Sequence, residues 1–204
     1  MTEGVVVPDG VAAPDSDLPT SEAPAPTVKP RGVALAVLGL VAVLLIVLDQ
    51  VSKQLSLSYL TGREPLRLLG GAVYLNLTRN SGAAFSIGGG YTWVFPIIAV
   101  VVVSGIIWLA RRLRSVPWAI AFGLVIGGAI GNLIDRLFRD PGFMRGQVVD
   151  MISLFDPAGR VFPAGAIFNV ADSALFCGIV LAIILESTGR HRDGSRAVRD
   201  RAAA

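Results

Sequence analysis

The sequence has few of the side chains on which soluble hydrolases commonly depend. It contains one histidine, His191, and one cysteine, Cys177, and its only two lysines are Lys29 and Lys53. His191 lies in an arginine-rich segment near the C-terminus, so no histidine is available in the apolar part of the chain for a Ser-His pair or a histidine-rich zinc site. A single cysteine cannot close an intrachain disulfide. Any hydrolytic chemistry must therefore rest on carboxylates, hydroxyls or lysine.

Charged residues are also scarce. They make up 16% of the 204 residues, whereas hydrophobic residues make up 53%, and an ordinary soluble domain has about a quarter of its residues charged. The mean hydropathy is +0.65. The net charge of +3 could suit nucleic acid, but the arginines flank apolar runs instead of forming one basic stripe. We therefore expect a membrane protein with no nucleic-acid partner.

Four apolar runs each approach the length of about 20 residues that a helix needs to cross the hydrocarbon core. They cover residues 32–54, 93–110, 116–136 and 165–186. Between the first two, residues 57–92 contain alternating apolar positions between glycine pairs, a pattern typical of short strands and turns. The predicted fold class is an all-α polytopic membrane protein with four transmembrane helices and a small extracytoplasmic β-sheet.

The distribution of lysine and arginine predicts the topology. Ten of the 18 lie before the first run, between the second and third, or after the fourth, and basic loops face the cytoplasm. We therefore expect both termini in the cytoplasm. Residues 1–30 are rich in proline, alanine and acidic residues and predict a disordered cytoplasmic tail. Residues 31–188 would form the transmembrane domain, and 189–204 a basic cytoplasmic tail.

Polar side chains close to the hydrocarbon are costly, so five short motifs that contain them are candidate sites. In DQVSK, Asp49 and Lys53 are four residues apart on one helix face, which predicts an ion pair at the membrane interface in preference to direct catalysis. In TRNSGAAFS, Asn80 precedes Gly82 and further small residues. This second motif is either a plain turn or a backbone segment that a bound peptide can approach closely.

The third motif, GGAIGNLIDR, lies on the third predicted span. It places Asn132 and Arg136 one turn apart, with Asp135 beside them at the outer membrane boundary. An Asp135–Arg136 pair that anchors the helix end and a role in a functional site are both open. The same span carries small residues at four-residue spacing, which favour close helix packing: Gly123, Gly127 and Gly131.

The last two motifs each hold an aspartate in apolar surroundings. Asp150 in VVDMI is flanked by apolar residues, as is seldom seen in a soluble loop. In FNVADS, Asn169 and Asp172 are three residues apart, on one face near the outer end of the fourth span. Two carboxylates in a poorly solvated site cannot easily both ionise, so one would hold a proton and the pair could act as general base and general acid. Such a mechanism needs no metal or other cofactor.

The five motifs, from Asp49 to Ser173, occur in the order and spacing of the lipoprotein signal peptidase (signal peptidase II) family, which the sequence closely resembles. The resemblance implies an aspartic endopeptidase of the bacterial cytoplasmic membrane. It would cleave signal peptides from diacylglyceryl-modified prolipoproteins just before the lipidated cysteine, near the outer face. Its partners would be these substrates and membrane lipids. The family's catalytic dyad falls on Asp150 and Asp172.

The resemblance also implies roles for the other polar residues of the motifs. Asp49 and Lys53 would be structural residues that hold the outer end of the first span. The residues that surround the dyad and support it or bind the substrate would be Asn80, Gly82, Asn132, Asp135, Arg136 and Asn169. Residues 31–188 would then be a peptidase domain.

Two other function classes remain as alternatives. Intramembrane aspartate, asparagine and arginine also mark ion pathways and transporters, but here the polar motifs cluster near one membrane face and no inverted repeat is visible. A noncatalytic scaffold could use glycine and asparagine for helix association. That alternative leaves two aspartates in apolar surroundings without a purpose.

Overall fold

The computed structural model describes residues 31–82, 92–156 and 162–196. Four long helices in this part of the chain are apolar enough to cross a membrane, which confirms the predicted class of fold. In chain order they are α1 (Arg31–Leu60), α2 (Val94–Leu109), α3 (Val116–Phe138) and α4 (Val170–Ser187). The predicted N-terminal tail, residues 1–30, lies outside the described residues, as do residues 197–204 at the C-terminus.

Helix α3 lies at the centre of the bundle, because its small residues let two other helices approach closely. A Cβ atom on Gly123 would lie 2.8 Å from the Cβ of Val41 on α1, and one on Gly128 would lie 2.4 Å from the carbonyl oxygen of Ala171 on α4. Such distances leave no room for a methyl group. The predicted small-residue face is thus a packing face against α1, and Gly128 adds a second contact against α4.

A four-stranded antiparallel sheet in the order β1-β2-β3-β4 accompanies the helices. Its strands are β1 (Leu66–Leu68), β2 (Val73–Asn80), β3 (Val148–Leu154) and β4 (Phe162–Phe168). The first two lie in the segment where strands were predicted. The other two were not predicted, because VVDMI is apolar on both faces of its strand and shows no alternation that would distinguish it from a buried helix.

The fourth helix begins later than the sequence predicted. The expected span started at residue 165, but Phe162–Phe168 is strand β4 and α4 starts at Val170. Asn169 is the residue that caps the helix, and its side chain accepts a hydrogen bond from the backbone N–H of Asp172. An uninterrupted apolar run hides this boundary, since strand and helix are equally apolar here. Asn169 is therefore a capping residue ahead of the helix and not part of its face.

The segment after α4 folds back onto the connection between α2 and α3. The backbone N–H groups of Arg114 and Ser115 donate to the carbonyl oxygen of Arg192 at 2.9 and 3.1 Å. The indole Nε1 of Trp118 donates to the carbonyl oxygen of Arg190 at 2.6 Å. The first residues of the predicted basic tail are thus docked on the helix bundle.

Candidate active site

Asp150 and Asp172 come from distant parts of the chain and line the same cavity. Asp150 lies in the middle of β3 with 2% of its surface exposed, and Asp172 lies in the first turn of α4. The cavity has a volume of about 430 Å³ and is bordered by α2, α3, α4 and the sheet. The two aspartates that the family resemblance singled out are therefore brought together at one site.

Asn169 connects the two carboxyl groups. Its side-chain Nδ2 donates to Oδ1 of Asp150 at 2.6 Å, and its backbone N–H donates to Oδ2 of Asp172 at 3.2 Å. Its side-chain oxygen in turn accepts from the backbone N–H of Asp172 at 2.9 Å. The residue is completely buried. The start of helix α4 thus fixes the position of one acid relative to the other.

Two further asparagines complete the set of donors. Asn80 Nδ2 donates to Oδ2 of Asp150 at 3.1 Å, and Asn132 Nδ2 donates to Oδ1 of Asp172 at 2.8 Å. Each of the four carboxyl oxygens therefore accepts one hydrogen bond from an asparagine. Amide donors orient a carboxyl group without neutralising it as a bound cation would. The asparagines thus fix the orientation of the two acids, and Asn80 and Asn169 counteract the effect of burial on the pKa of Asp150.

The environment of Asp150 favours a proton-transfer role. Burial, together with the negative charge of Asp172, raises the pKa of Asp150 from 3.8 to about 7. The hydrogen bonds from Asn80 and Asn169 and the charge of Lys53 act in the opposite direction. Near neutral pH both the protonated and the ionised form of Asp150 are accessible, as general acid–base catalysis requires.

A buried ion network lies beside the dyad. Lys53 is completely buried, and its Nζ lies 2.7 Å from Asp49 Oδ2 and 2.9 Å from Asp135 Oδ2. It also donates to Asn132 Oδ1 at 3.0 Å. The predicted Asp49–Lys53 pair is thus formed, but it lies inside the bundle and extends to α3. Helix α1 continues to Leu60, seven residues past Lys53.

The two acids of this network hold the backbone next to the dyad. Asp49 Oδ1 accepts from the N–H of Ala171 at 3.0 Å, one residue before Asp172. Asp135 Oδ2 accepts from the N–H of Val149 at 3.1 Å, one residue before Asp150. An N–H in the first turn of a helix has no partner within the helix. Asp49 therefore provides the hydrogen-bond acceptor that the N–H of Ala171 lacks within α4, and this contact anchors the start of α4 to α1.

Arg136 does not form the helix-end pair with Asp135 that the sequence left open as one alternative. Asp135 instead pairs with Arg139, four residues later, at 2.5 Å. Arg136 donates to the carbonyl oxygens of Asn80, at 3.1 Å, and of Gly82. Residues three or four apart on a helix face each other, but adjacent residues do not. Asp135 and Arg136 therefore point in different directions although they are neighbours in sequence. Arg136 thus ties the end of β2, and with it Asn80, to α3.

Four residues that contribute to this arrangement were not among the candidates predicted from sequence: Gln50, Phe95, Arg139 and Gly146. Gln50 Nε2 donates to the carbonyl oxygen of Gly131 at 3.0 Å, and the guanidinium of Arg136 lies 5.1 Å from the ring centre of Phe95. A Cβ on Gly146 would lie 2.0 Å from the carbonyl oxygen of Asp135. The i,i+4 spacing of Asp135 and Arg139 could have predicted their ion pair. No local sequence pattern predicted the contacts of Phe95 or Gly146.

The remaining wall of the cavity is apolar. Phe95, Ile98 and Val102 of α2 face it, together with Leu133 of α3 and Leu175 of α4. Ile98 is also 51% exposed on the outside of the bundle, so the cavity lies next to the surface that lipid would cover. Gly82 also lines the cavity, while residues 83–91, which include the rest of its motif, lie outside the described part of the chain. The cavity therefore has an apolar wall on the side of α2.

Comparisons with known proteins point to one family. The family model of signal peptidase II matches residues 41–187. The lipoprotein signal peptidase of Mycolicibacterium smegmatis is 43% identical over 92% of this chain and 78% of its own length. That of Streptomyces coelicolor is 45% identical over 79% of this chain and 75% of its own. A solved bacterial membrane enzyme matches with a TM-score of 0.65 and 28% identity over 81% of this chain and 96% of its own. The chain is a membrane peptidase that belongs to the signal peptidase II family.

Proposed function

We propose that this enzyme cleaves signal peptides from diacylglyceryl-modified prolipoproteins just before the lipidated cysteine, with Asp150 and Asp172 as its catalytic dyad. The observation that carries the proposal is the pair of acids at one cavity, with each carboxyl oxygen held by an asparagine hydrogen bond. The lipoprotein signal peptidases to which the chain is similar support the reaction and the substrate.

The dyad would work with one proton shared between two acids. The ionised carboxylate takes a proton from a water molecule, and the resulting hydroxide attacks the scissile carbonyl carbon. The protonated carboxyl donates to the carbonyl oxygen as the tetrahedral intermediate forms. As the C–N bond breaks, the first acid delivers the proton taken from water to the leaving amine, and the second carboxylate takes back the proton of the intermediate's hydroxyl as the carbonyl re-forms, which restores the starting state.

The neighbouring charges are consistent with a single proton on the dyad. Asp49, Asp135 and the two catalytic acids carry four carboxyl groups, and the cations beside them are Lys53, Arg136 and Arg139. Four negative and three positive charges leave an excess of one negative charge. Since a buried net charge is costly, one proton on the dyad brings the cluster to neutrality.

The supporting residues have separate tasks in this proposal. Asn80, Asn132 and Asn169 orient the carboxyl groups, and Arg136 holds the Asn80–Gly82 segment where it can meet the substrate backbone. Asp49, Lys53 and Asp135 hold the backbone beside the acids. The apolar wall of the cavity would take the acyl chains of the substrate, so that binding energy remote from the scissile bond positions it for attack.

The proposed topology rests on the positions of the arginines relative to the dyad. Residues 31–188 form the peptidase domain, both termini lie in the cytoplasm, and the dyad faces the outer leaflet of the bacterial cytoplasmic membrane. Arg111 and Arg112 at the far end of α2 from the dyad support this orientation through the positive-inside rule. Mature lipoproteins carry their lipidated cysteine on the outer side, where the cleaved bond must therefore lie.

The test uses the purified full chain in detergent with one prolipoprotein in two forms, diacylglyceryl-modified and unmodified. We expect cleavage of the modified form directly before the lipidated cysteine, mapped by mass spectrometry, and little cleavage of the unmodified form. A chelator should leave the rate unchanged, because the proposed dyad uses no metal. Equal cleavage of both forms would contradict the role of the lipid. No cleavage of either form by the folded protein would contradict the proposed substrate.

A further inference from the structure

A second cavity lies at the other end of the helix bundle from the dyad. It has a volume of about 610 Å³ and lies between the end of α2 and the segment that follows α4. Its lining residues are Trp108, Leu109, Arg111, Arg112, His191, Arg192, Asp193 and Ser195. None of them takes part in the proposed catalytic site.

The fold of the C-terminal segment holds this cavity in shape. The carbonyl oxygen of Arg192 accepts hydrogen bonds from the N–H groups of Arg114 and Ser115. The guanidinium of Arg192 lies 5.8 Å from the ring centre of Trp118, whose indole is itself hydrogen-bonded to the carbonyl oxygen of Arg190. A cation over an aromatic face is held in a restricted position. Arg192 is therefore ordered at the cavity before any ligand arrives.

The cavity carries a positive charge that its own residues do not neutralise. Arg111, Arg112 and Arg192 line it, and in the described part of the chain none of the three forms an ion pair. The one acid in the lining, Asp193, accepts from the N–H of Ser195 at 2.9 Å and from its Oγ at 2.6 Å. Both hydrogen bonds go to Oδ1 and hold the carboxylate within its own turn, and its single negative charge is outnumbered by the three guanidinium groups, which leaves an excess of positive charge for an anion.

The position of the cavity along the bundle indicates what kind of anion would reach it. Trp108 and Leu109 form the last turn of the membrane-spanning helix α2, and Trp108 is 63% exposed. An exposed tryptophan at a helix end is typical of the membrane–water interface. The arginines follow directly after this turn. The cavity therefore opens at the depth where phospholipid phosphates lie and where basic pockets between helices bind anionic headgroups.

We propose that this cavity binds the headgroup of an anionic phospholipid from the leaflet opposite to the dyad. The phosphodiester lies between Arg111, Arg112 and Arg192, which donate charge-assisted hydrogen bonds to its oxygens. The acyl chains run along the exposed apolar face of α2, where Trp108 and Val101 contact them. The bound lipid joins the end of α2 to the C-terminal segment.

The test titrates the purified full chain in detergent with phosphatidylglycerol and, separately, with phosphatidylcholine, and counts bound lipid by native mass spectrometry. We expect wild type to bind phosphatidylglycerol more tightly. The double variant Arg111→Gln/Arg112→Gln should bind it about 25-fold more weakly, since each arginine near a membrane surface contributes a factor of about five. Its affinity for phosphatidylcholine should be unchanged. Both side chains are exposed, so the fold should persist.

Two controls separate this pocket from a general effect of charge. The double variant Arg63→Gln/Arg145→Gln removes the same charge from exposed positions elsewhere, and Arg114→Gln removes an exposed charge beside the cavity but outside its lining. Both should bind phosphatidylglycerol like wild type. Equal loss in these controls, or no loss in Arg111→Gln/Arg112→Gln, would overturn the proposal. Displacement of the lipid by inorganic phosphate alone would also overturn it, because the site would then be one for free phosphate.

Discussion

At the scale of single residues, the asparagines decide how the two acids behave. Asn169 reaches both carboxyl groups, whereas Asn80 and Asn132 each reach one. A hydrogen bond to the ionised form of an acid lowers its pKa, and burial raises it. These opposing effects keep the pKa of Asp150 near 7. Removing one asparagine should therefore shift the pH at which the enzyme works.

Replacement of Asn80 by alanine tests this balance. The substitution removes the 3.1 Å hydrogen bond to Asp150, and a hydrogen bond to a charged group stabilises it by about 1.5–3 kcal/mol. Since one pKa unit corresponds to about 1.4 kcal/mol, the pKa of Asp150 should rise by about one to two units. The limb of the pH profile of kcat/KM that reports this acid should move to higher pH. Arg79→Ala, at the exposed neighbouring position, should leave the profile in place, and an unmoved limb in Asn80→Ala would contradict the role of Asn80.

Family resemblance identified the acids and asparagines from sequence, but not their partners. Lys53 and Asp49 are four residues apart, so their pair could be predicted. The contact between Lys53 and Asp135 spans 82 positions and has no local signature. Of the two readings that the sequence left open for Asp135 and Arg136, the helix-end pair is not formed, because adjacent helical residues do not face each other. Long-range contacts of this kind depend on the packing of α1 against α3.

At the scale of elements, the buried ion network joins α1 to α3 and both to the dyad. Lys53→Met would leave Asp49 and Asp135 buried with less compensation, and breaking a buried pair costs about 3–5 kcal/mol. We expect a comparable loss in the free energy of unfolding in detergent. Adding Asp135→Asn to Lys53→Met should recover part of it, because one uncompensated charge is removed. Arg63→Met, which removes an exposed cation just after α1, serves as the control and should change stability little. A Lys53→Met protein as stable as wild type would argue against the network.

The contact between α3 and α4 allows a second test at this scale. A methyl group on Gly128 would lie 2.4 Å from the carbonyl oxygen of Ala171, next to Asp172. Gly128→Ala should therefore displace the start of α4, reduce stability by about 1–3 kcal/mol and lower kcat. Gly105→Ala on α2 is the matched control, because nothing lies within 4 Å of its added methyl group. Full activity in Gly128→Ala would mean that the start of α4 tolerates displacement.

The elements themselves were predictable to different degrees. Composition and run length predicted all four helices, because a helix satisfies all of its backbone N–H and C=O groups within one apolar run. The start of α4 was misplaced because β4 is as apolar as the helix that follows. The capping residues Asn169 and Asp172 were visible in the sequence but were interpreted as one helix face. Strand β3, which carries Asp150, was hidden because it is buried on both faces.

At the scale of the whole molecule, the outer surface of the helix bundle is apolar, as contact with lipid requires. Helices α1, α2 and α4 expose large apolar side chains, whereas α3 is mostly buried. The dyad cavity lies between α2 and α4 on this lipid-facing periphery. A substrate that is anchored by acyl chains could therefore approach from within the membrane. The arginine-lined cavity at the other end would hold a second, resident lipid.

The N-terminal segment provides a test of how much of the chain the activity needs. Residues 1–28 are poor in apolar residues, and the family match begins only at residue 41. We expect a protein that lacks residues 1–28 to cleave lipidated prolipoprotein with unchanged kcat and KM in detergent. Membrane insertion is checked separately by the yield of folded protein. A large fall in kcat of the purified truncation would mean that the segment contributes to the site.

The most direct measurement is the cleavage rate of a diacylglyceryl-modified prolipoprotein by wild type, Asp150→Asn and Asp172→Asn. Asparagine keeps the shape of each side chain but cannot exchange a proton, so both variants should fold and lose at least about 100-fold in kcat. Asp140→Asn, at an exposed position outside the dyad cavity, should retain full activity. Wild-type rates in either Asp150→Asn or Asp172→Asn would contradict the assignment of the dyad.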